Sequence, residues 1–127
     1  MAEQIVPTRE QSELLAGLPA DEPVFMVNLL QFKQPDGLGH YQRYAVEVVP
    51  HMQRVGAEAR FAADSRAYII GDGAKPWWDA ILVVEYPTPQ AFVSMVTSED
   101  YLKIHVHREA ALDRAELIAT SSWGLAG

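Results

Sequence analysis

One stretch of this sequence puts polar chemistry where apolar packing is expected. Between Glu99 and Arg114, helical spacing gathers Tyr101, Ile104, His105, Arg108 and Leu112 into one stripe. That stripe should face the core, yet it carries an imidazole and a guanidinium. Arg108 could clamp a carboxylate or another anion through charge-assisted hydrogen bonds. His105 could carry a proton near neutral pH. The packing alternative has Arg108 lay down its stem and pair with Asp79 or Glu99, while His105 closes the core edge.

A second stretch holds one awkward amide. Val24-Phe25-Met26-Val27-Asn28-Leu29-Leu30-Gln31-Phe32-Lys33 reads as a strand buried on both faces, with Asn28 at its middle. A buried amide without partners costs about 1–3 kcal/mol. Asn28 must therefore bond backbone or face something wet. Alternation puts Met26, Asn28, Leu30 and Phe32 on one face, and in the later stretch Trp77, Asp79, Ile81, Val83 and Glu85 on another. Carboxylates fit a helix-covered face badly, so the faces of Asn28 and of Asp79 and Glu85 are expected on the open side of the sheet. There a carboxylate could serve as base or anchor, or simply pair with an arginine. The pocket candidates are thus Asn28, Tyr41, Asp79, His105 and Arg108, with no catalytic residue assigned.

The elements that must position these residues follow from periodicity and breakers. Residues 1–22 form an extension with one short helix. Thr8 and Gln11 supply its capping box, and Leu14, Leu15 and Leu18 its apolar edge. After the first strand, the loop 34–39 leads to a helix from His40 to Val55. Pro50 should kink or break it, and Gly56 caps it. Residues 57–71 read as an interrupted strand: 57–62, a bulge or turn at 64–65, then 66–70. A tight 71–76 turn makes a hairpin with strand 77–86. Thr88 and Pro89 open a helix, a second runs from Ser98 to about Arg114, and 117–123 is the last strand. This order, with right-handed crossovers, places the main helices on one face of a four-stranded antiparallel sheet. The fold class is α+β, ferredoxin-like βαββαβ, with 23–127 as one domain. The uncovered apolar face calls for a partner chain.

Composition narrows the function. The chain has 127 residues, no cysteine and a net charge of −7. Missing cysteine removes disulfides, thiolate metal sites and cysteine nucleophiles. The negative balance argues against nucleic acid and anionic membranes. No apolar run reaches membrane-spanning length, and Met1-Ala2-Glu3-Gln4 lacks signal-peptide character, so a cytoplasmic location is expected. His105 and His107, two apart on a helix, point to different sides and do not make a metal pair. Gly71-Asp72-Gly73 lacks the context of a phosphate loop. No metal and no cofactor is expected.

Certain motifs resemble the family called domain of unknown function 1330. They are Asn28-Leu29-Leu30-Gln31-Phe32-Lys33, Tyr41 and Tyr44, Pro50 and Gly56, Trp78-Asp79, Val84-Glu85-Tyr86-Pro87-Thr88, Ala91-Phe92, Ser98, Tyr101 and Arg108. The resemblance spans roughly residues 23–123. It implies a dimeric α/β barrel, two ferredoxin-like subunits pressing open sheet faces together. Among haem-degrading relatives an asparagine, a tryptophan and a histidine cooperate. Here no histidine follows Trp77-Trp78 at the required short distance. The expectation is a homodimer with a small-molecule pocket, acting without cofactor on a small organic acid. A non-catalytic structural or ligand-binding homodimer is the alternative, and a haem-handling protein a third reading.

Overall fold

Side-chain caps set the starts of three helices. The Thr8 hydroxyl accepts from the Gln11 amide at 3.1 Å, and the Gln11 side chain returns a bond to the Thr8 amide at 3.0 Å. Thr88 and Ser98 accept in the same way from Ala91 and Tyr101, each at 3.1 Å. Each bond satisfies an amide that a helix start would leave orphaned. The computed structural model describes residues 7–124, so 1–4, read above for a targeting signal, and 125–127 lie outside the described residues. Its elements are α1 (Arg9–Ala16), β1 (Val24–Phe32), α2 (Gly37–Glu47), α3 (Val49–Val55), β2 (Glu58–Asp64), β3 (Ala80–Tyr86), α4 (Pro89–Val96), α5 (Glu99–Ala111) and β4 (Leu112–Thr120). Among the described residues no helix is long and apolar enough to cross a membrane.

The four strands form one antiparallel sheet in the order β2-β3-β1-β4. With helices between β1 and β2 and between β3 and β4, this is the expected ferredoxin-like arrangement. Val24, Met26 and Leu30 of β1 and Val84 and Tyr86 of β3 are buried with Tyr41, Tyr44, Phe92, Tyr101 and Ile104 from α2, α4 and α5. The opposite face carries Phe25, Val27, Leu29, Ile81 and Val83, all half-buried, with Phe61 and Ile118 exposed.

This register corrects the expected face of Asn28 and keeps that of Glu85. Asn28 pairs with Leu82, while Phe25 pairs with Glu85. Directly paired residues share a face, so Asn28 lies on the helix-covered side and Glu85 on the open one. The Asn28 Nδ2 is bonded there without water. It donates to the Leu82 carbonyl at 3.1 Å and reaches that of Met26 at 3.5 Å.

Element ends moved where backbone chemistry overrode periodicity. The long helix breaks at Val48, just before Pro50, whose missing N–H cannot continue the ladder. Gly56 closes α3 at φ 77°, a left-handed conformation that glycine adopts without Cβ strain. Residues 66–70 and 77–79 are not strand; the chain from 65 to 79 is a long loop, closed where the Ser65 amide donates to the Asp79 carbonyl at 2.9 Å. Helix α5 stops at Ala111 because Leu112, 1% exposed, turns to extended backbone and pairs with Phe32. The last strand therefore starts five residues earlier than periodicity suggests, at Leu112 rather than Leu117.

Candidate functional site

The cavity of interest lies on the helix-covered side, at the β4 edge of the sheet. It measures about 640 Å³ and is walled by α1 with Leu18, by Met26, Phe92 and Arg108, and by residues 115–119 of β4. That volume lies within the range of small-molecule sites. Most of the wall is aliphatic because β4 turns Ala115, Leu117 and Ala119 to the same face as Met26 and Asn28. Glu116, also in the wall, ion-pairs with Arg114 at 3.4 Å. The guanidinium-bearing Arg108 is only 7% exposed.

The stripe on α5 accounts for Arg108. Tyr101, Ile104, Arg108 and Ala111 are its buried residues, and α5 packs along α2. Arg108 lies close enough to the Tyr41 hydroxyl for its charge to act on that phenol. Tyr41 stacks obliquely on Tyr44, ring centres 5.4 Å apart. The Tyr44 and Tyr101 hydroxyls share a hydrogen bond of 2.7 Å, and Tyr101 also bonds His105 Nδ1 at 3.3 Å. His51, 8% exposed, sets its ring edge-on to Tyr101 at 6.1 Å. Among the described residues, His51 Nδ1 and His105 Nε2 are buried without a hydrogen-bond partner.

Burial raises the phenol pKa of Tyr41, Tyr44, Tyr86 and Tyr101, and the Arg108 charge opposes that rise in each. Burial wins, so the phenols stay protonated and can donate. His105 is pushed below the usual imidazole range, first by burial and then by repulsion from Arg108, with Glu109 pulling the other way. The folded state thus binds fewer protons at this site than the unfolded chain. His105 contributes stability above about pH 6.5, its unfolded value, and that contribution is lost as pH falls through the lower folded value. In urea unfolding between pH 7.5 and 5, His105→Asn is expected to lose less stability on acidification than the parent protein. An equal loss in both would remove His105 from this role.

Of the sequence candidates, the fold brings Arg108, Tyr41 and His105 into one network. Asn28 is a neighbour rather than a wall residue: it pairs with Leu117, which does line the cavity. Asp79 stands apart. Its carboxylate accepts from the Phe32 amide at 2.9 Å and lies 3.8 Å from Lys75, so it satisfies the backbone where the β1–β4 register shifts. Glu85 bonds Arg60 at 2.7 Å, the pairing alternative. Sequence reasoning missed His51, although 44, 48, 51 and 55 form one helical stripe. It also missed α1 as a cavity wall, since no local pattern says where an extension docks. Among the described residues no three His, Asp or Glu side chains group to hold a metal ion.

With this geometry in view, comparisons place the chain among known proteins. The RPA0582 protein of unknown function from Rhodopseudomonas palustris is 27% identical, with a TM-score of 0.83 over 94% of this chain and 97% of its own. A dimeric protein of unknown function and ferredoxin-like fold from Bacteroides fragilis is 7% identical, with a TM-score of 0.53 over 82% of this chain and 100% of its own. An uncharacterized NIPSNAP domain protein from Burkholderia xenovorans is 8% identical, with a TM-score of 0.54 over 81% of this chain and 96% of its own. The last two likenesses concern the fold alone. No protein of curated function matches the chain. The family described as Domain of unknown function (DUF1330) matches residues 23–121, most of the sequence, and the chain belongs to that family.

Proposed function

We propose that this protein is a homodimer that binds a small organic acid in one cavity per subunit, with Arg108 holding the carboxylate. The observation that carries this reading is a buried arginine in the wall of an otherwise mainly aliphatic cavity. A guanidinium in low dielectric attracts an anion far more strongly than one in water, and its fork matches a carboxylate in geometry. Residues 23–127 form the binding domain, and the 1–22 extension adds α1 to it. A second copy covers the half-buried apolar face of Phe25, Val27, Leu29, Ile81 and Val83. The dimeric Bacteroides fragilis relative supports that part.

Two roles fit such a site. In an enzyme, the Tyr44–Tyr101–His105 chain would move a proton without a cofactor. In a binding protein, the same chain would only orient Tyr41 and Arg108. The second role is favoured by Asp79, which lies outside the network and is occupied by the Phe32 amide. Calorimetric titration with benzoate and its neutral analogue benzamide tests the shared claim. Benzoate is expected to bind at least tenfold more tightly at pH 7. Equal affinities, or no binding of either, would overturn it.

A further inference from the structure

The wall of the cavity opposite the sheet is the least secured element of the described chain. Helix α1 has no buried residue, yet Leu14, Leu15 and Leu18 all contribute to the cavity. Leu15 and Leu18 touch the core only at its margin, and Leu14 is 72% exposed. Facing them on β4, Leu117 is 40% exposed and Ala119 is exposed beside it. Two apolar surfaces therefore confront each other across the cavity, with Arg108 in the wall between them. An isolated helix of fewer than about 12–15 residues is marginal in water, so its stability must come from packing. With eight residues, α1 depends on what fills the gap beneath it.

We propose that the ligand is an amphipathic carboxylate with a medium-length apolar tail, and that α1 closes over that tail as a ligand-dependent lid. This rests on the reading that Arg108 anchors the carboxylate. The tail lies between Leu14, Leu15 and Leu18 on one side and Leu117 and Ala119 on the other, burying apolar surface that both now expose. A short acid engages Arg108 alone and leaves the lid unsupported. A longer one joins the two walls and orders α1.

The test uses the full chain at pH 7 with butanoate, hexanoate and octanoate. Affinity is expected to rise about fourfold for each added methylene, the increment of burying that group. Amide hydrogen exchange across 9–16 should slow with octanoate and not with butanoate. Leu14→Ser, a change at an exposed position that the fold tolerates, should cost octanoate at least tenfold more than butanoate. If all three acids bind equally, or if Leu14→Ser weakens all three alike, the tail and lid are wrong while the Arg108 anchor stands. Unchanged exchange in α1 with octanoate bound would overturn the lid. If benzoate binds and no alkanoate does, the apolar-tail class is wrong. If neither benzoate nor any alkanoate binds, the anchor fails and this inference falls with it.

Discussion

Arg108→Met is expected to weaken benzoate binding at least a hundredfold while leaving the protein folded. Removing one partner of a buried charge pair costs about 2–5 kcal/mol of affinity, much of it the penalty of leaving the other charge unpaired. Methionine keeps most of the stem's volume, so the helix–sheet packing around Ile104 and Ala111 persists. The fold loses the favourable contact of the guanidinium with the Tyr41 phenol, worth about 1 kcal/mol. It also no longer buries a guanidinium, which offsets that loss. Calorimetry measures the affinity, and near-ultraviolet circular dichroism reports packing around the four buried tyrosines Tyr41, Tyr44, Tyr86 and Tyr101. A second readout separates electrostatics from shape. Arg108 helps depress the His105 pKa, so its removal should move the His105 titration upward in an NMR experiment. Benzoate affinity that survives the substitution would take Arg108 out of the site.

Val27→Asp is expected to abolish the proposed homodimer and leave a monomer. Val27 sits on β1, a central strand, paired with Val83 on one side and Ile118 on the other, on the face away from the helices. In a dimer built on that face, each subunit would bury an unpaired carboxylate. A cost of about 4 kcal/mol, from the several kcal/mol that desolvating an unpaired charge carries, raises the dissociation constant roughly a thousandfold. Sedimentation at micromolar concentration should show a dimer for the parent protein and for Val27→Thr, and a monomer for Val27→Asp. A monomeric parent protein, or a dimeric Val27→Asp, would place the interface elsewhere.

The fold was legible because its signals were local and repeated. Thr8 with Gln11, Thr88 with Pro89, Pro50 and Gly56 each act within a few residues, and each marks a helix end seen in the structure. The stripe of Tyr101, Ile104 and Arg108 was legible for the same reason, since helical periodicity needs no partner to be read. Face assignment was not. Asn28 and Glu85 are far apart in sequence, and which face each takes depends on the pairing register between β1 and β3. A shift of one residue reverses every side chain. Polarity suggested the open side of the sheet for Asn28, but on the helix-covered side two backbone carbonyls already accept from its Nδ2. Asp79 misled in a related way. A carboxylate beside a strand resembles a base, whereas here it fills a backbone vacancy at Phe32. The start of β4 at Leu112 was hidden because helical spacing continues through Leu112, and only the buried contact with β1 ends the helix.

The central claim is the position of the ligand: on the helix-covered side, at Arg108, and not on the open face of the sheet. A crystal soaked with 4-bromobenzoate tests it directly, because anomalous scattering locates the bromine without reference to any assumed pose. The account predicts a bromine peak within the cavity between α1 and residues 115–119, with the carboxylate in hydrogen-bond reach of the Arg108 guanidinium. A peak over Val27 and Val83, or a cavity without one at a concentration that saturates binding in solution, would contradict it.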